Sequence, residues 1–177
     1  EELEILDLER ALTGKNNNKT VFDSIWPTKV ERPPDIQIID SDLKFDAIVS
    51  GALRSDYQKT RIEMMCERLN VKSFSPLWHK NSKDHMNALV EHGFEVKFVS
   101  VSSEGLDSTW LGKSLDSDNI LVLNELSKKF RFNLDGEGGE FETITVDGPH
   151  MKYRLNCKGI SSFKSGRGKW DIHTVDI

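Results

Sequence analysis

The chain has 177 residues, 37% of them hydrophobic and 30% charged, and at about 150 residues per domain this length makes one domain or two small ones. Such usage is ordinary for globular proteins and excludes collagen-like, disulfide-framework and wholly disordered classes. With 24 Lys and Arg against 29 Asp and Glu the net charge is −5, which disfavours a chain-wide grip on nucleic acid. The longest apolar run, Ile120 to Leu123, falls far short of the roughly 18 residues that span a bilayer.

Leu3, Leu6 and Ala11, with Ile5, Leu8 and Leu12, give a helical period that Gly14 and the polar run from Lys15 to Asn18 end. The opening carries no signal-peptide pattern, and a start at Glu1 rather than Met leads us to expect a chain whose beginning is missing. From Thr20 to Pro34, with Pro27, Pro33 and Pro34, periodicity fades into an irregular excursion, an insertion covering 13–44. Phe45 to Val49 reads as a strand, and Ser55 with Gln58 three residues on reads as a capped helix start. In that helix Ile62, Met65, Cys66 and Leu69 form one apolar stripe, so Cys66 belongs to the core. Ser73 to Trp78 is a second strand. Asn81 or Ser82 caps a helix that stops at Gly93, and Phe94 to Val101 is a third strand.

Alternating β and α at short spacing argues for parallel strands joined by crossover helices. After a helix from about Asp118 to Phe130 the grammar changes. Phe141 to Val146 and Met151 to Leu155 alternate with period two, Trp170 to Val175 is a last strand, and this tail reads as antiparallel. The fold class is therefore α/β followed by a smaller α+β part. Between Gly148 and Trp170 there is no acid but there are Lys152, Arg154, Lys158, Lys164, Arg167 and Lys169, by default a solvated face. Two distant cysteines, Cys66 and Cys157, form no CxxC pair and favour a reducing, cytoplasmic setting. His85 and His92, seven apart, lack a third zinc ligand nearby.

Two stretches carry chemistry. Gly136 to Thr143 packs three glycines and three carboxylates into eight residues at a helix-to-strand junction. Glycine admits positive φ and close approach of a ligand to the main chain, and Glu140 and Glu142 are expected on one face as the strand starts. Crowded carboxylates repel, so something positive belongs there: Mg²⁺ beside phosphates, a cationic substrate, or a proton shared between two acids. The second stretch, Ser50 to Gln58, lies at the carboxyl end of a strand, where open α/β sheets bind ligands and the next helix offers free N–H groups to phosphate.

Read in order, SGALRSDYQKTRIEMMCERLNV, PLW, GLDSTWLGK and GEGGEFETITVDGP resemble the N-type ATP pyrophosphatase family, the diphthine–ammonia ligases of diphthamide synthesis. The resemblance runs from about Phe45 to Pro149. It implies the remainder of a HUP-type parallel sheet flanked by helices over 1–102 and a smaller α+β substrate-binding domain over 103–177. The family's pyrophosphate loop, Ser-Gly-Gly-Lys-Asp-Ser, is absent from these residues. That absence implies roughly two missing β-α units and a chain that alone does not turn over ATP.

The resemblance further implies that ATP adenylates the carboxylate of diphthine on a translation elongation factor and that ammonia then attacks, releasing AMP and pyrophosphate. In that reading Glu137, Glu140 and Glu142 are catalytic, and Ser50, Gly51, Ala52 and Ser55 face the nucleotide. Tyr57, Gln58, Arg61, Trp78, Gly136, Gly138, Gly139 and Phe141 face the substrate. Mg²⁺ would accompany the nucleotide, with Glu137 or Glu140 as candidate ligands, and the basic tail would meet the elongation factor. Self-association stays open. Two other readings stand beside this one: a paralogue amidating another carboxylate, such as a corrinoid, and a non-catalytic binding module.

Overall fold

The computed structural model describes residues 2–14, 18–26 and 44–177, and the chain divides into two compact units, Glu1–Trp78 and His79–Ile177. In the first unit, α1 (Glu2–Leu12) is followed by α2 (Asn18–Ile25). The second helix corrects the expectation of an irregular stretch from Thr20. Phe22 and Trp26, four apart, meet with ring centroids 5.1 Å apart and planes tilted by 37°, the contact expected of positions four apart on a helix, and Pro27 comes only after the last turn. The rest of the expected insertion, 27–43, lies outside the described residues.

Strands β1 (Ala47–Val49) and β2 (Lys72–Phe74) pair in parallel, with Val49 opposite Phe74, and α3 (Asp56–Leu69) makes the crossover between them. Ser55 caps α3, and its side chain accepts the N–H of Gln58. Met65 and Cys66 are buried on the expected stripe. The second strand is shorter than expected because Pro76 supplies no N–H to a ladder, and the chain turns instead, Trp78 N–H donating to the Ser75 carbonyl at 3.0 Å.

The second unit holds a four-stranded sheet in the order β4-β3-β6-β5, built from β3 (Glu95–Val101), β4 (Phe141–Asp147), β5 (Asn156–Lys164) and β6 (Arg167–Asp176). All of its pairings are antiparallel. This corrects the placement of Phe94 to Val101 in a parallel sheet with the first two strands. The division between units accordingly falls at Trp78, ahead of the boundary read from the sequence at 102. Helices α4 (Ser82–Glu91) and α5 (Ser117–Phe130) start at the side-chain caps Asn81 and Asp116.

The core gathers around Phe98, which is fully buried. Its ring meets Trp110 edge-on at 5.2 Å and Phe141 at 5.1 Å, with Ile120 and Leu123 of α5 in the same cluster. The β3–β4 register shifts between Phe98 and Ser100. This bulge at Val99 lets Phe98 and Val101 both enter the core, although strict period two would put Phe98 and Ser100 on one face. Ser100 is thereby turned to the outer face.

The stretch Met151 to Leu155 is not a strand. Leu155 N–H donates to the Val146 carbonyl at 2.8 Å and Met151 N–H to the Gly148 carbonyl at 3.0 Å, so the chain rounds a corner after Pro149 before β5 begins. Arg154 pins that corner with a fork onto Glu95, Nε to Oε2 at 2.8 Å and Nη2 to Oε1 at 2.7 Å. Strands β5 and β6 then form a long hairpin. Its tip residues Ser165 and Gly166 have φ of 53° and 78°, the two positive values of the turn that suits strand twist. Among the described residues no helix is long and apolar enough to cross a membrane.

The Arg154 hydrogen bonds hold the Glu95 carboxyl below the usual carboxylate range, against the opposing pull of burial. A depressed folded-state pKa contributes stability that is fully present above the unfolded value, about 4.3 for Glu, and is lost as pH falls through the lowered folded value. Glu95→Gln should therefore flatten the acid limb of a plot of Tm against pH relative to the parent chain. Thermal melts between neutral and strongly acidic pH check this.

Candidate functional site: an acidic loop beside a bipolar cleft

The turn after β1 is anchored at both ends. Ser50 N–H donates to the Phe74 carbonyl at 2.8 Å, its hydroxyl lies 2.9 Å from that of Ser75, and Leu53 is buried. Between them Gly51 is exposed, and no atom lies within 4 Å of the place where a Cβ would stand. The half-buried Ala52 follows. Ser55 accepts the Gln58 N–H at 3.3 Å and opens α3, whose first turn exposes Tyr57 and Gln58. Arg61 lays its guanidinium 3.9 Å from the centre of the Tyr57 ring, and the Lys59 ammonium lies 5.3 Å from the Trp78 ring. An open main chain at a strand end, leading into a helix N-terminus, fits the approach of a phosphate group.

The acidic loop lies in the second unit, and its carboxylates do different things. Glu140 Oε1 accepts from Asn133 N–H at 2.8 Å and from Asn133 Nδ2 at 3.0 Å, while Oε2 accepts from Gly138 N–H at 2.7 Å. Both oxygens are thus committed within the loop. Gly138 is required for this, since a Cβ there would stand 2.6 Å from Glu140 Oε1. Ser102 joins the loop to β3, its N–H donating to the Glu140 carbonyl at 2.8 Å and its hydroxyl to the Gly139 carbonyl at 2.6 Å.

Glu140 and Glu142 therefore do not share a face as expected: the first folds back into its loop, and the second stands exposed on β4. Glu137 is exposed. Phe141 turns its ring into the core against Phe98, and Gly136, at φ 75°, leaves room for that ring. Phe141 thus packs in the core.

Glu142 lines a cleft of about 580 Å³ together with Ser100, Ser162, Lys164, Arg167 and Lys169. The ladder registers explain why these residues meet. Glu142 is opposite Ser100, Ser100 opposite Lys169, and Lys169 opposite Ser162, so one row crosses all four strands on the face away from Phe98. Period two adds Lys164 and Arg167 to the same face at the hairpin tip.

Among the described residues no group of three or more metal-ligating side chains is close enough to hold an ion. Both oxygens of Glu140 are hydrogen-bonded to N–H groups of the loop itself. Backbone and amide donors meet Glu140 inside the loop, and three hairpin cations line the cleft that Glu142 also lines.

Comparison with known proteins matches residues 81–176 to the diphthamide synthase C-terminal domain and residues 30–73 to the diphthamide synthase N-terminal domain. The chain belongs to the diphthamide synthase family. Its relatives include proteins named diphthine–ammonia ligase from Schizosaccharomyces pombe, 42% identical over 112 residues, and from Homo sapiens, 35% identical over 121 residues. The matches cover 62% and 68% of this chain but only 18% and 45% of those relatives, so the chain spans less than half the length of either.

Within the diphthamide synthase match, the whole cleft and the acidic loop fall in the C-terminal domain, and Ser50 to Arg61 fall in the N-terminal one. Trp78 lies between the two matched segments. The loop is legible in the sequence, and Lys169 is visible there as part of the basic stretch, but Ser100 and Ser162 as members of one outer row are not. The row's signal was present in the spacing of Ser162 and Lys164, then Arg167 and Lys169, on either side of a Ser-Gly turn. In the sequence the basic stretch reads as one surface. In the structure Arg154 is paired with Glu95 and Lys158 with Asp176, while Lys164, Arg167 and Lys169 line the cleft.

Substituting the two glutamates should separate their roles. Glu140→Gln puts an amide N–H₂ against one of the loop's own donors, and it should cost about 0.5–1.5 kcal/mol and speed amide exchange at Asn133 and Gly138. Glu142→Gln should stay within about 0.5 kcal/mol of the parent, as exposed substitutions do. Urea unfolding and hydrogen exchange on both variants check this.

Proposed function

We propose that the chain is the substrate-binding part of an ATP-dependent ligase that joins ammonia to the carboxylate of diphthine on a translation elongation factor. The relatives' shared name supports this reading, and one observation carries it to the residues. Of the glutamates on either side of Phe141, only Glu142 aims its carboxylate at a cleft instead of its own loop.

A carboxylate is a poor acyl donor, and ATP, as co-substrate, supplies the adenylyl group that turns its oxygen into a leaving group for the incoming ammonia. Glu142, with Glu137 near it in sequence, offers negative charge to the trimethylammonium of diphthine. Glu140, with Gly136, Gly138 and Gly139, holds the loop in the shape that sets Glu142 at the start of β4. In the N-terminal unit, Ser50, Gly51, Ala52 and Ser55 present backbone and hydroxyl groups to the nucleotide, and Tyr57, Gln58, Arg61 and Trp78 form the substrate side. Mg²⁺ would travel with the nucleotide phosphates, since it takes only one or two protein carboxylates in such sites. An elongation factor as substrate places the reaction in the cytoplasm.

The test uses the full-length parent with diphthine-bearing elongation factor, ATP and ammonium. Glu142→Gln should lower amidation at least tenfold, about 1.4 kcal/mol in the barrier, with Tm unchanged. Full activity of that variant would remove the cleft from the reaction.

A further inference from the structure

The cleft has two electrostatic ends. Glu142 stands at one end of the four-strand row, and Lys169 stands two strands away, with Ser100 between them. Neighbouring partners in an antiparallel ladder have Cα atoms about 4.5–5.5 Å apart, so these opposite charges face one another across about 10 Å of sheet, and they make no direct ion pair. Beyond Lys169, Lys164 and Arg167 are directly opposite each other in the last pair of the hairpin. Like charges so placed destabilise a ladder, and the cleft holds three cations against one carboxylate. A purely anionic ligand would meet repulsion from Glu142. A purely cationic one would meet repulsion from the other three.

We propose that this row binds an α-zwitterion, a quaternary ammonium and a carboxylate attached to one carbon, with the ammonium toward Glu142 and the carboxylate toward Lys169 and Arg167. Ser100 lines the floor between Glu142 and Lys169, Ser162 flanks Lys169 on its other side, and both offer their hydroxyls to the carboxylate. The bulge at Val99 matters here, because it alone brings Ser100 to the outer face. Lys169 and Arg167 are then the residues that discriminate for the carboxylate, a task that the acidic loop cannot perform. The identity of the physiological ligand rests on the functional reading above, in which the diphthine side chain carries this pair of groups. The binding itself does not depend on that reading.

The experiment titrates this 177-residue chain with glycine betaine, choline, acetate and inorganic phosphate, following backbone amide shifts by NMR without ATP. Betaine should shift the Ser100, Glu142, Ser162 and Lys169 amides with a Kd at least tenfold below those of choline and acetate. Lys169→Gln should remove the preference over choline, and Glu142→Gln the preference over acetate. Both positions are exposed, and unchanged spectra away from the cleft verify folding. Tighter binding of acetate or phosphate than of betaine, or no saturable betaine shift at these residues, overturns the proposal. A parent enzyme that fails to amidate diphthine while the chain still prefers betaine would sink the functional reading and leave the zwitterion site standing.

Discussion

The second unit depends on a single extra residue in a strand. Val99 interrupts the β3 ladder so that Phe98 and Val101, three apart, both reach the core. Without the bulge one of them would face water and Ser100 would face Trp110 and Phe141. Burying a side chain of this kind contributes about 1.5–3 kcal/mol, so the core fixes the register and the register fixes the outer row. Glu142, Ser100, Lys169 and Ser162 meet because Phe98 is packed, not because they attract one another. Polar residues on an outer face can change without loss of fold, which makes their juxtaposition informative about ligands.

The acidic loop shows how one motif divides its labour. Glu140 accepts from three N–H groups as the chain turns from α5 into β4, and Gly138 makes room for its oxygens. The adjacent strand position then carries Glu142 outward. A carboxylate that organises a loop and a carboxylate that faces a cleft look the same in sequence, and only the placement of donors separates them.

Local features were legible where local chemistry decides them. Ser55, Asn81 and Gly93 marked helix ends, and Met65 and Cys66 marked a buried stripe, because caps and periodicity act within a few residues. The partner of β3 was not legible. An apolar strand after a helix reads the same whether it joins a parallel sheet or starts an antiparallel one. Met151, Tyr153 and Leu155 imitate a strand, yet the chain there rounds a corner pinned by Arg154 on Glu95, a contact 59 positions apart. The helix at Asn18–Ile25 was obscured by the prolines that follow it. The cationic end of the cleft was in view as a charge run, but its division into paired and cleft-facing residues required the β5–β6 register.

We propose that the outer row beside the acidic loop holds the modified side chain. Hydrogen exchange of the full-length parent, with elongation factor carrying diphthine and with the same factor lacking the modification, tests it most directly. Protection of 99–102 and 162–169 that appears only with the diphthine-bearing factor is the predicted result. Protection that is the same for both factors, or that leaves these two segments untouched, would contradict the account.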